Sequence, residues 1–375
     1  MNLSSFKLEE YLSIHEFTAP YLLCCSDAES FAMKSILDLA STEDRKLWEH
    51  LRLQYTEPYG MPQLRQQIAT SLYPTLQTEN ILCSAGAEEA IFASLFTLCE
   101  PEDHAIVLTP CYQSLMEIPK LKGTKVTSVP LRESNQWQID INEIKQALQS
   151  NTKCIVINFP HNPTGQVITP KELDDLIGLC DMYGLWLFSD EVYRLLGTPQ
   201  DEWAKPAAEI YPKAISLGVM SKAFGMPGLR VGWIASQDQI LLHKIKKMKD
   251  YLSICNSAPS EVISLITLKH KETILDRNNK IVAENLKRLD AFISEYHELF
   301  EWTRPQGGCV GFIKYKSKIS VDEFCKKLIN QKGVLLLPGS VYDDPNNYFR
   351  IGYGRQNMSV ALSMLVDFVN EGYAT

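Results

Sequence analysis

The chain has 375 residues, of which 45% are hydrophobic, with a formal net charge of -8 and a pI near 5.5. This length is sufficient for two domains, or for one large domain with a smaller one. The acidic balance argues against a nucleic-acid partner, because phosphate binding needs a basic surface. No apolar run approaches the roughly 18 residues that span a bilayer, so we expect no membrane partner.

The ten cysteines are scattered along the chain, and neither a CxxC pair nor a His/Cys cluster indicates a metal site. Abundant thiols without disulfide-like spacing are typical of cytoplasmic proteins. The first residues, MNLSSFKLEE, lack the apolar core of a signal peptide. We therefore expect a cytoplasmic protein without a metal.

Short β-rich runs alternate with helical stretches between residues 80 and 235. Continuous apolar runs predict buried parallel strands with helices on both faces of the sheet. These runs are AIVLTP (105–110), CIVINFP (154–160), LWLFSDE (185–191) and AISLGV (214–219). The stretch ILCSAGAEEAIFASLF (81–96) predicts a further strand, a tight turn and an apolar helix. This order predicts an open α/β sheet.

The clearest predicted helix is TPKELDDLIGLCDMYG (169–184). Thr169 is a favourable N-cap, Pro170 suits the first helical position, and Glu172 completes a capping box. The final glycine suits the helix end. The predicted apolar face consists of Leu173, Leu176, Ile177 and Cys180.

The last third of the chain has a different pattern, in which long charged helices precede two strands (307–315 and 348–354) and a closing helix. This pattern predicts a smaller α+β domain. We predict a large domain over residues 45–255, and a small domain formed by residues 1–44 and 256–375.

Polar side chains follow the carboxyl ends of the predicted parallel strands. These residues are Tyr112, Asn162, Asp190, Tyr193 and Lys222. In open α/β sheets, ligands bind beyond this edge. Each residue by itself has an ordinary structural explanation as loop, helix cap, core or snorkelling lysine. Their convergence at one edge favours a functional site.

A second group of residues predicts a phosphate site. The backbone N–H groups of Ala87 and Glu88 follow Gly86 at the start of a predicted helix, where anions are attracted. Ser221 and Arg230 lie in the segment SLGVMSKAFGMPGLRVGW and offer further donors.

These groups together are the set that pyridoxal 5′-phosphate (PLP) requires. Lys222 would form a Schiff base with the cofactor aldehyde and later carry protons. Asp190 would pair with the pyridine nitrogen and keep it protonated. Asn162 and Tyr193 would hydrogen-bond the phenolic oxygen of the ring, and Tyr112 would stack on the ring face.

The chain resembles the class I/II aminotransferase family of fold-type I PLP enzymes from about residue 50 to 355. The resemblance is carried by YTEPYGMPQLRQQIA, SAGAEEA, TPCYQSL, NFPHNPTG, SDEVY, SKAFGMPGLRVGW, PQGG, LLLPGS and YFRIGYGR. It implies a large domain with a mostly parallel central sheet and helices on both faces, plus a smaller α+β domain. It also implies a homodimer with active sites at the subunit interface.

The resemblance assigns three further roles. Tyr55 would reach the phosphate of the partner's cofactor. Arg350 would bind the substrate α-carboxylate, for which a bidentate guanidinium is well suited, with Asn162 beside the substrate. The Asn162–Pro163 peptide bond is expected to be cis, because proline permits that isomer.

The predicted reaction is transfer of an amino group between an L-amino acid and a 2-oxo acid, in the biosynthetic metabolism of amino acids. Lyase or cyclase chemistry is the main alternative, because NFPHNPTG, SLGVMSKAFGMPGLRVGW and PQGGCVGF also look similar to enzymes that cyclise a hydroxylated arginine to capreomycidine. A non-catalytic ligand-sensing domain is a minor alternative, against which both the charge and the early start of the resemblance argue.

Two departures from the family pattern affect these expectations. Val219 replaces a serine with which many relatives hold the phosphate. The segment YLLCCSDAES (21–30) has no glycine where many relatives line the substrate pocket with backbone. Either this segment alters the substrate side, or it only begins the small domain. No basic residue stands out by motif as the partner for a carboxylate in the side chain of the substrate. Four aromatic residues suggest an aromatic lining of the substrate site: Tyr21, Tyr55, Tyr59 and Trp233.

Overall fold

The computed structural model describes residues 4–197 and 203–372. Its strands are β1 (Tyr21–Leu22), β2 (Ile81–Ser84), β3 (His104–Thr109), β4 (Lys125–Pro130), β5 (Thr152–Asn158), β6 (Trp186–Asp190), β7 (Ala214–Val219), β8 (Gly232–Ala235), β9 (Phe300–Trp302), β10 (Val310–Tyr315), β11 (Val334–Leu335), β12 (Leu337–Pro338) and β13 (Tyr348–Gly352).

The α-helices alternate with these strands in the first two thirds of the chain. They are α1 (Lys7–His15), α2 (Met33–Leu37), α3 (Thr42–Glu49), α4 (Pro62–Leu72), α5 (Ala87–Leu98), α6 (Ser114–Lys122), α7 (Ile141–Ala147), α8 (Pro170–Tyr183), α9 (Ala207–Ile210), α10 (Gln239–Lys249), α11 (Ala258–Lys269), α12 (Lys271–Glu295), α13 (Val321–Lys332) and α14 (Met358–Asn370). None of the described helices is long and apolar enough to cross a membrane.

A seven-stranded sheet forms the centre of the molecule, with the spatial order β2-β8-β7-β6-β5-β3-β4. Strands β3 to β7 pair in parallel. Strand β8 pairs antiparallel with β7 and with β2. The predicted, mostly parallel α/β sheet is therefore confirmed, and the antiparallel β8 is an addition to it.

Both faces of this sheet are buried. Val107 and Val156 belong to one hydrophobic cluster, whereas their neighbours Ile106 and Ile155 belong to another. Because successive side chains of a strand point to opposite faces, helices must cover both. This double cover explains why the strands are continuous apolar runs rather than alternating ones.

The predicted strands of the central sheet agree with the observed ones to within two residues, whereas β10 begins three residues later than the predicted strand 307–315. Strand β7 coincides with the run AISLGV. Strand β3 begins one residue earlier than predicted and ends before Pro110, and β5 ends before Pro160. Proline has no N–H to donate to a sheet, which explains why both strands stop there.

Helix α8 has the predicted capping box. The Thr169 hydroxyl accepts a hydrogen bond from the Glu172 N–H (3.2 Å), and the Glu172 carboxylate accepts one from the Thr169 N–H (2.8 Å). The apolar face differs in one position, because Leu179 is buried while Ile177 is half-buried. Ile177 nevertheless packs against the same hydrophobic cluster as the buried residues of this face.

The last third of the chain has the expected α+β character. Strands β12, β13, β10 and β9 form an antiparallel sheet, preceded in the chain by the long helices α11 and α12. A separate two-stranded pairing joins β1 to β11 in parallel. Residues near the N-terminus thus pair with the C-terminal third, in the way the predicted small domain requires, while its boundaries stay a prediction.

Substitution of Thr169 by alanine is expected to lower the free energy of unfolding by about 1 kcal/mol, because an N-cap hydrogen bond is lost. Met182→Ala is the control, since Met182 is a 72% exposed residue of the same helix. The control should remain within about 0.5 kcal/mol of wild type. Urea unfolding followed by circular dichroism measures both, and equal stability of the two variants would contradict the assigned cap.

Candidate functional site

The carboxyl edge of the central sheet gathers the predicted polar residues. Asp190 ends β6, Tyr112 lies three residues after β3, and Lys222 lies three residues after β7. Asn158, which the sequence does not single out, ends β5 opposite Asp190. Its Nδ2 donates to the Asp190 carbonyl oxygen (3.0 Å), and its Oδ1 accepts from the Asn162 N–H (2.9 Å). Asn158 therefore holds two neighbouring strand ends in register.

Lys222 is half-buried at this edge, where its Nζ donates to Ser26 Oγ (2.8 Å). The same nitrogen lies 5.8 Å from the centroid of the Tyr193 ring. Burial lowers the pKa of Lys222, and the nearby Arg350 charge adds to this effect, while Asp27 opposes it. The environment therefore favours a neutral, nucleophilic amine.

Asp190 is a buried carboxyl group, only 3% exposed. Its Oδ1 accepts a hydrogen bond from the Val192 N–H (3.2 Å). Burial raises the pKa of Asp190 to about 7, although the Val192 N–H and the charge of Lys222 act in the opposite direction. A carboxylate that is this poorly solvated requires a cationic partner at neutral pH.

Tyr193 has a fully buried side chain whose hydroxyl has no hydrogen-bond partner among the described residues. Burial holds its pKa well above the usual range, so the phenol is neutral. A buried hydroxyl without a partner costs free energy, and it indicates an atom that a ligand supplies.

The predicted phosphate donors meet at the start of α5. Gly86 has a φ of +88°, and α5 begins at Ala87. A Cβ at Gly86 would lie 2.8 Å from Arg230 Nη2, so the guanidinium passes directly over this turn. The Glu88 carboxyl accepts from Ser114 Oγ (2.5 Å), and burial raises its pKa, which reduces negative charge at the turn. The arrangement suits an anion.

Arg350 lies on β13 and is 2% exposed. Its Nη1 donates to the Tyr342 hydroxyl (2.6 Å) and to Asn162 Oδ1 (3.1 Å). Its Nη2 donates to the Cys24 carbonyl oxygen (2.9 Å). Its Nε has no hydrogen-bond partner in the part of the chain that the structure describes. The guanidinium is thus held rigidly and retains a donor for a carboxylate.

Tyr342 is a second residue that the sequence did not single out. Its hydroxyl donates to Asn162 Oδ1 (2.9 Å) while it accepts from Arg350. A tyrosine in the apolar run LLLPGSVY gives no local signal of such a role, because the partners come from distant segments. The hydroxyl fixes both predicted substrate-binding residues relative to each other.

The loop that carries Asn162 is cross-linked by a buried histidine. His161 Nε2 is 2.8 Å from the Pro110 carbonyl oxygen, and its Nδ1 is 2.7 Å from Thr164 Oγ1. Burial lowers the pKa of His161 to about 4, so the imidazole is neutral at physiological pH. The Asn162–Pro163 peptide bond is cis, as predicted.

The segment 21–30 both begins the small sheet and reaches the site, so the two interpretations of it are compatible. Its Cys24 carbonyl contacts Arg350 and its Ser26 hydroxyl contacts Lys222. Both carboxylate oxygens of Asp27 accept from Arg355 Nη2 (2.8 and 2.9 Å). The segment therefore contributes a backbone carbonyl beside Arg350 and a hydroxyl beside Lys222.

Helix α1 covers the outer edge of the site, which the sequence did not predict. The Phe6 ring lies 5.3 Å from that of Tyr112, centroid to centroid. The Tyr112 hydroxyl donates to Glu9 Oε1 (3.3 Å), and Tyr11 donates to the Leu336 carbonyl oxygen (3.0 Å). Burial together with the neighbouring carboxylates raises the pKa of Tyr112, which keeps the ring neutral.

Several predicted residues lie elsewhere. Trp233 does not line the site: it packs against Gly218 in the core, and its Nε1 donates to the Tyr73 hydroxyl (3.1 Å). Tyr59 pairs with His243 Nδ1 (3.1 Å). Aromatic side chains usually fill cores, which explains this difference. Tyr55 is 85% exposed on the single chain, and its role across a subunit interface stays a prediction.

Two positions next to the lysine complete the predicted set. Ser221 precedes Lys222 and is half-buried, and its contact with the phosphate stays a prediction. Val219 is 2% exposed within β7 and contributes to the core. The missing serine hydroxyl is therefore replaced by apolar packing.

Comparison with known proteins places this geometry in context. Residues 25–364 match the family model described as aminotransferase class I and II. Capreomycidine synthase from Streptomyces vinaceus is 27% identical over 352 residues, which cover 92% of this chain and 88% of that protein. Aspartate aminotransferase from Sulfolobus acidocaldarius is 27% identical over 337 residues, which cover 84% and 82%.

Solved structures agree with the sequence comparisons. A PLP-dependent aminotransferase from Streptococcus suis 89-1591 superimposes with a TM-score of 0.93 at 30% identity, over 99% of both chains. The PLP-dependent cyclase OrfR superimposes with a TM-score of 0.89 at 24% identity, over 99% of this chain and 98% of that one, and so shares the fold. The protein belongs to the class I and II aminotransferase family of fold-type I enzymes, whose cofactor is pyridoxal 5′-phosphate.

Proposed function

We propose that this protein is an aminotransferase that moves an amino group between an L-amino acid and a 2-oxo acid by means of Lys222. The observation that carries the proposal is the placement of the Lys222 amine within electrostatic reach of both the buried Asp190 carboxyl and the buried Arg350 guanidinium. When bound, PLP supplies an aldehyde that condenses with primary amines and a ring that accepts the electron pair of a broken bond.

The side chains of the site fit this group. The neutral Lys222 amine would hold the cofactor through its aldehyde carbon, with loss of water, and once released its Nζ would hold and move the substrate Cα proton. The Asp190 carboxylate would pair with the ring nitrogen and keep it protonated. The Tyr193 hydroxyl, which lacks a partner among the described residues, would donate to the ring phenolic oxygen. Asn162 Oδ1 is engaged by Arg350, which leaves Nδ2 as the donor of Asn162 toward the same oxygen.

The phosphate is assigned to the turn at Gly86. The N–H groups of Ala87 and Glu88 lie at the first turn of α5, and Arg230 supplies a permanent positive charge over it. Ser221 adds a hydroxyl. The neutral Tyr112 ring, held by α1, would stack on the cofactor face.

We extend the proposal to a homodimer of cytoplasmic location with a biosynthetic role in amino-acid metabolism. The exposed Tyr55 supports the dimer, because an 85% exposed ring at this position suits a contact with the phosphate site of a second subunit. The large domain is then residues 45–255, and the small domain combines residues 1–44 and 256–375.

The charges around the site bear on the substrate. Arg350 is assigned to the α-carboxylate and Arg230 to the phosphate, while Arg355 is paired with Asp27. Within this subunit, the charged side chains that act on Lys222 are the Arg350 cation and the carboxylates of Asp27 and Asp190. Glu16, which follows α1, is also within electrostatic reach of Lys222. These charges favour an amino-acid substrate with a cationic side chain over aspartate.

The same charges support a second candidate function, a PLP-dependent lyase or cyclase. Glu9 and Glu16 lie seven residues apart, on one face of the helical segment over the site, and Glu9 accepts from Tyr112. A guanidinium-bearing substrate suits such carboxylates. The similarity to capreomycidine synthase makes an arginine-like substrate the natural form of this candidate.

The first test is the visible absorbance of the cofactor after addition of single amino acids without a 2-oxo acid. L-arginine and L-ornithine are expected to convert the visible band to the blue-shifted band of the aminated cofactor at least about tenfold faster than L-aspartate, because an unpaired carboxylate side chain meets Glu16. Faster conversion by L-aspartate contradicts this charge assignment.

Other outcomes separate the candidate functions. A band that persists while ammonia or pyruvate is released identifies the lyase or cyclase. A protein that binds PLP but converts no amino acid is the ligand-sensing domain. A protein that shows no cofactor band after reconstitution contradicts the proposed function altogether.

Substitution of Lys222 by alanine is expected to abolish the cofactor band that borohydride fixes to the protein, and to lower activity at least about 1000-fold, because the amine is both anchor and base. Circular dichroism should show an unchanged fold. Lys213→Ala, an exposed lysine that donates to the Gly184 carbonyl, is the control. Cofactor fixed to a single lysine of the Lys222→Ala variant by borohydride contradicts the assignment.

The Asp190→Asn variant tests how ionisation of the buried Asp190 carboxyl affects the stability of the cofactor-free protein. Because the folded-state pKa of Asp190 is raised to about 7, the wild type loses stability as the pH rises from about 4 through 7. The variant should therefore be more stable than wild type at pH 8, by on the order of 4 kcal/mol, and equal to it near pH 4.

Urea unfolding at each pH measures this difference. Asp181→Asn, at an exposed position of α8, is the control and should show no such pH-dependent gain. Added PLP should stabilise the wild type more than the variant at pH 8, since only the carboxylate pairs with the protonated ring. A stability difference independent of pH would contradict the assigned role.

A further inference from the structure

Ser26 provides the direct hydrogen-bond contact to the Lys222 amine. We propose that Ser26 is a positioning residue, whose hydroxyl holds Lys222 Nζ while that nitrogen takes and returns the substrate Cα proton. The proposal rests on the proposed function of Lys222. It is carried by the 2.8 Å distance between Lys222 Nζ and Ser26 Oγ, two atoms from segments 196 residues apart.

A lysine that has been released from the cofactor needs such a contact. Its four-carbon stem has many rotamers, and only one arrangement directs the nitrogen at the Cα–H bond. The Tyr193 ring restricts the movement of the amine on one side, because Lys222 Nζ lies 5.8 Å from the ring centroid. The Ser26 hydroxyl adds a directional bond, which selects one position for Nζ.

The structure holds the Ser26 hydroxyl in place from both sides. Two residues earlier, the Cys24 carbonyl accepts from Arg350; two residues later, the Ala28 N–H donates to the Lys222 carbonyl oxygen (3.2 Å). A Cβ at Gly352 would lie 1.9 Å from the Cys25 carbonyl oxygen, so the segment has no room to shift toward β13. The serine is therefore part of a rigid backbone.

The neighbouring Asp27 does not take this role. Its carboxylate accepts two hydrogen bonds from Arg355, and its influence on Lys222 is through charge rather than contact. Removal of Asp27 would disturb the ion pair as well as the lysine. Ser26 is uncharged, so its substitution removes the hydrogen bond to Lys222 without breaking an ion pair.

The bond strengthens as the proton moves. With the cofactor bound, Lys222 Nζ would take the substrate Cα proton while the cofactor accepts the electron pair of the broken bond, and the same nitrogen would then return the proton. During transfer the amine becomes an ammonium, and an ionised donor makes a stronger hydrogen bond to the Ser26 oxygen than a neutral one. An interaction that grows along the reaction raises the rate without tightening substrate binding.

The test compares Ser26→Ala with Ser26→Thr, which keeps the hydroxyl, and with Ser30→Ala as a matched control. Ser30 is an exposed residue of the same segment. The measured quantity is the rate at which deuterium from solvent replaces the Cα hydrogen of the fastest donor from the amino-acid panel. Ser26→Ala is expected to slow this exchange about tenfold, the effect of one lost hydrogen bond to a charged group.

Two further readouts separate positioning from structural damage. The visible cofactor band should be unchanged, and the dissociation constant of 2-aminoisobutyrate, which has no Cα hydrogen, should change less than about twofold. Ser26→Thr should keep exchange within about threefold of wild type, and Ser30→Ala should equal wild type.

The proposal is overturned if Ser26→Ala exchanges as fast as Ser30→Ala, or if it weakens 2-aminoisobutyrate binding as much as it slows exchange. Its failure is distinguishable from failure of the proposed function. If the wild type shows a cofactor band and exchanges the Cα hydrogen, and Ser26→Ala exchanges it at the same rate, only the role of Ser26 is overturned. A wild type with no cofactor band, or with no exchange for any amino acid, overturns both.

Discussion

The removal of Lys222 and Asp190 from water at one edge of the sheet is the constraint on which the rest of the structure depends. An amine and a carboxyl with few local partners are unfavourable there unless a ligand completes their interactions. Burial moves both pKa values toward neutrality, downward for the lysine and upward for the aspartic acid. The same burial that costs stability makes the lysine a nucleophile and prepares the carboxyl for a cationic ring.

The parallel sheet makes this placement possible. Strands β5, β6 and β7 end side by side, and both of their faces are covered by apolar packing. Polar groups at the strand ends are therefore concentrated at one edge. Asn158 secures this edge by bonding to both Asp190 and Asn162, so that the positions of the site residues follow from sheet register.

The C-terminal third contributes a second group of residues to this edge. Arg350 reaches the edge from β13 and is oriented by Tyr342 and by the Cys24 carbonyl. The segment 21–30 contacts Lys222 through Ser26. The site is thus assembled from residues of two different sheets and of the N-terminal segment.

Family relationship and reaction are consequently different questions for this protein. Similar identity to capreomycidine synthase and to an aspartate aminotransferase shows that overall similarity does not separate the two chemistries. The charges near Lys222 distinguish this subunit more sharply, because Glu9 accepts from Tyr112 and Glu16 is within electrostatic reach of Lys222. The proposed preference for a cationic substrate rests on these two carboxylates of α1 and the residue that follows it.

The sequence by itself determined the features that depend on local chemistry. Continuous apolar runs predicted the parallel strands, the Thr169 capping box predicted α8, and strand-end positions predicted where Lys222 and Asp190 would lie. Only the tertiary structure decided that Tyr342 links Arg350 to Asn162, that Ser26 meets Lys222, and that Trp233 fills the core. These contacts join residues far apart in the chain, and a hydrogen bond between distant segments leaves no periodicity or spacing in the sequence.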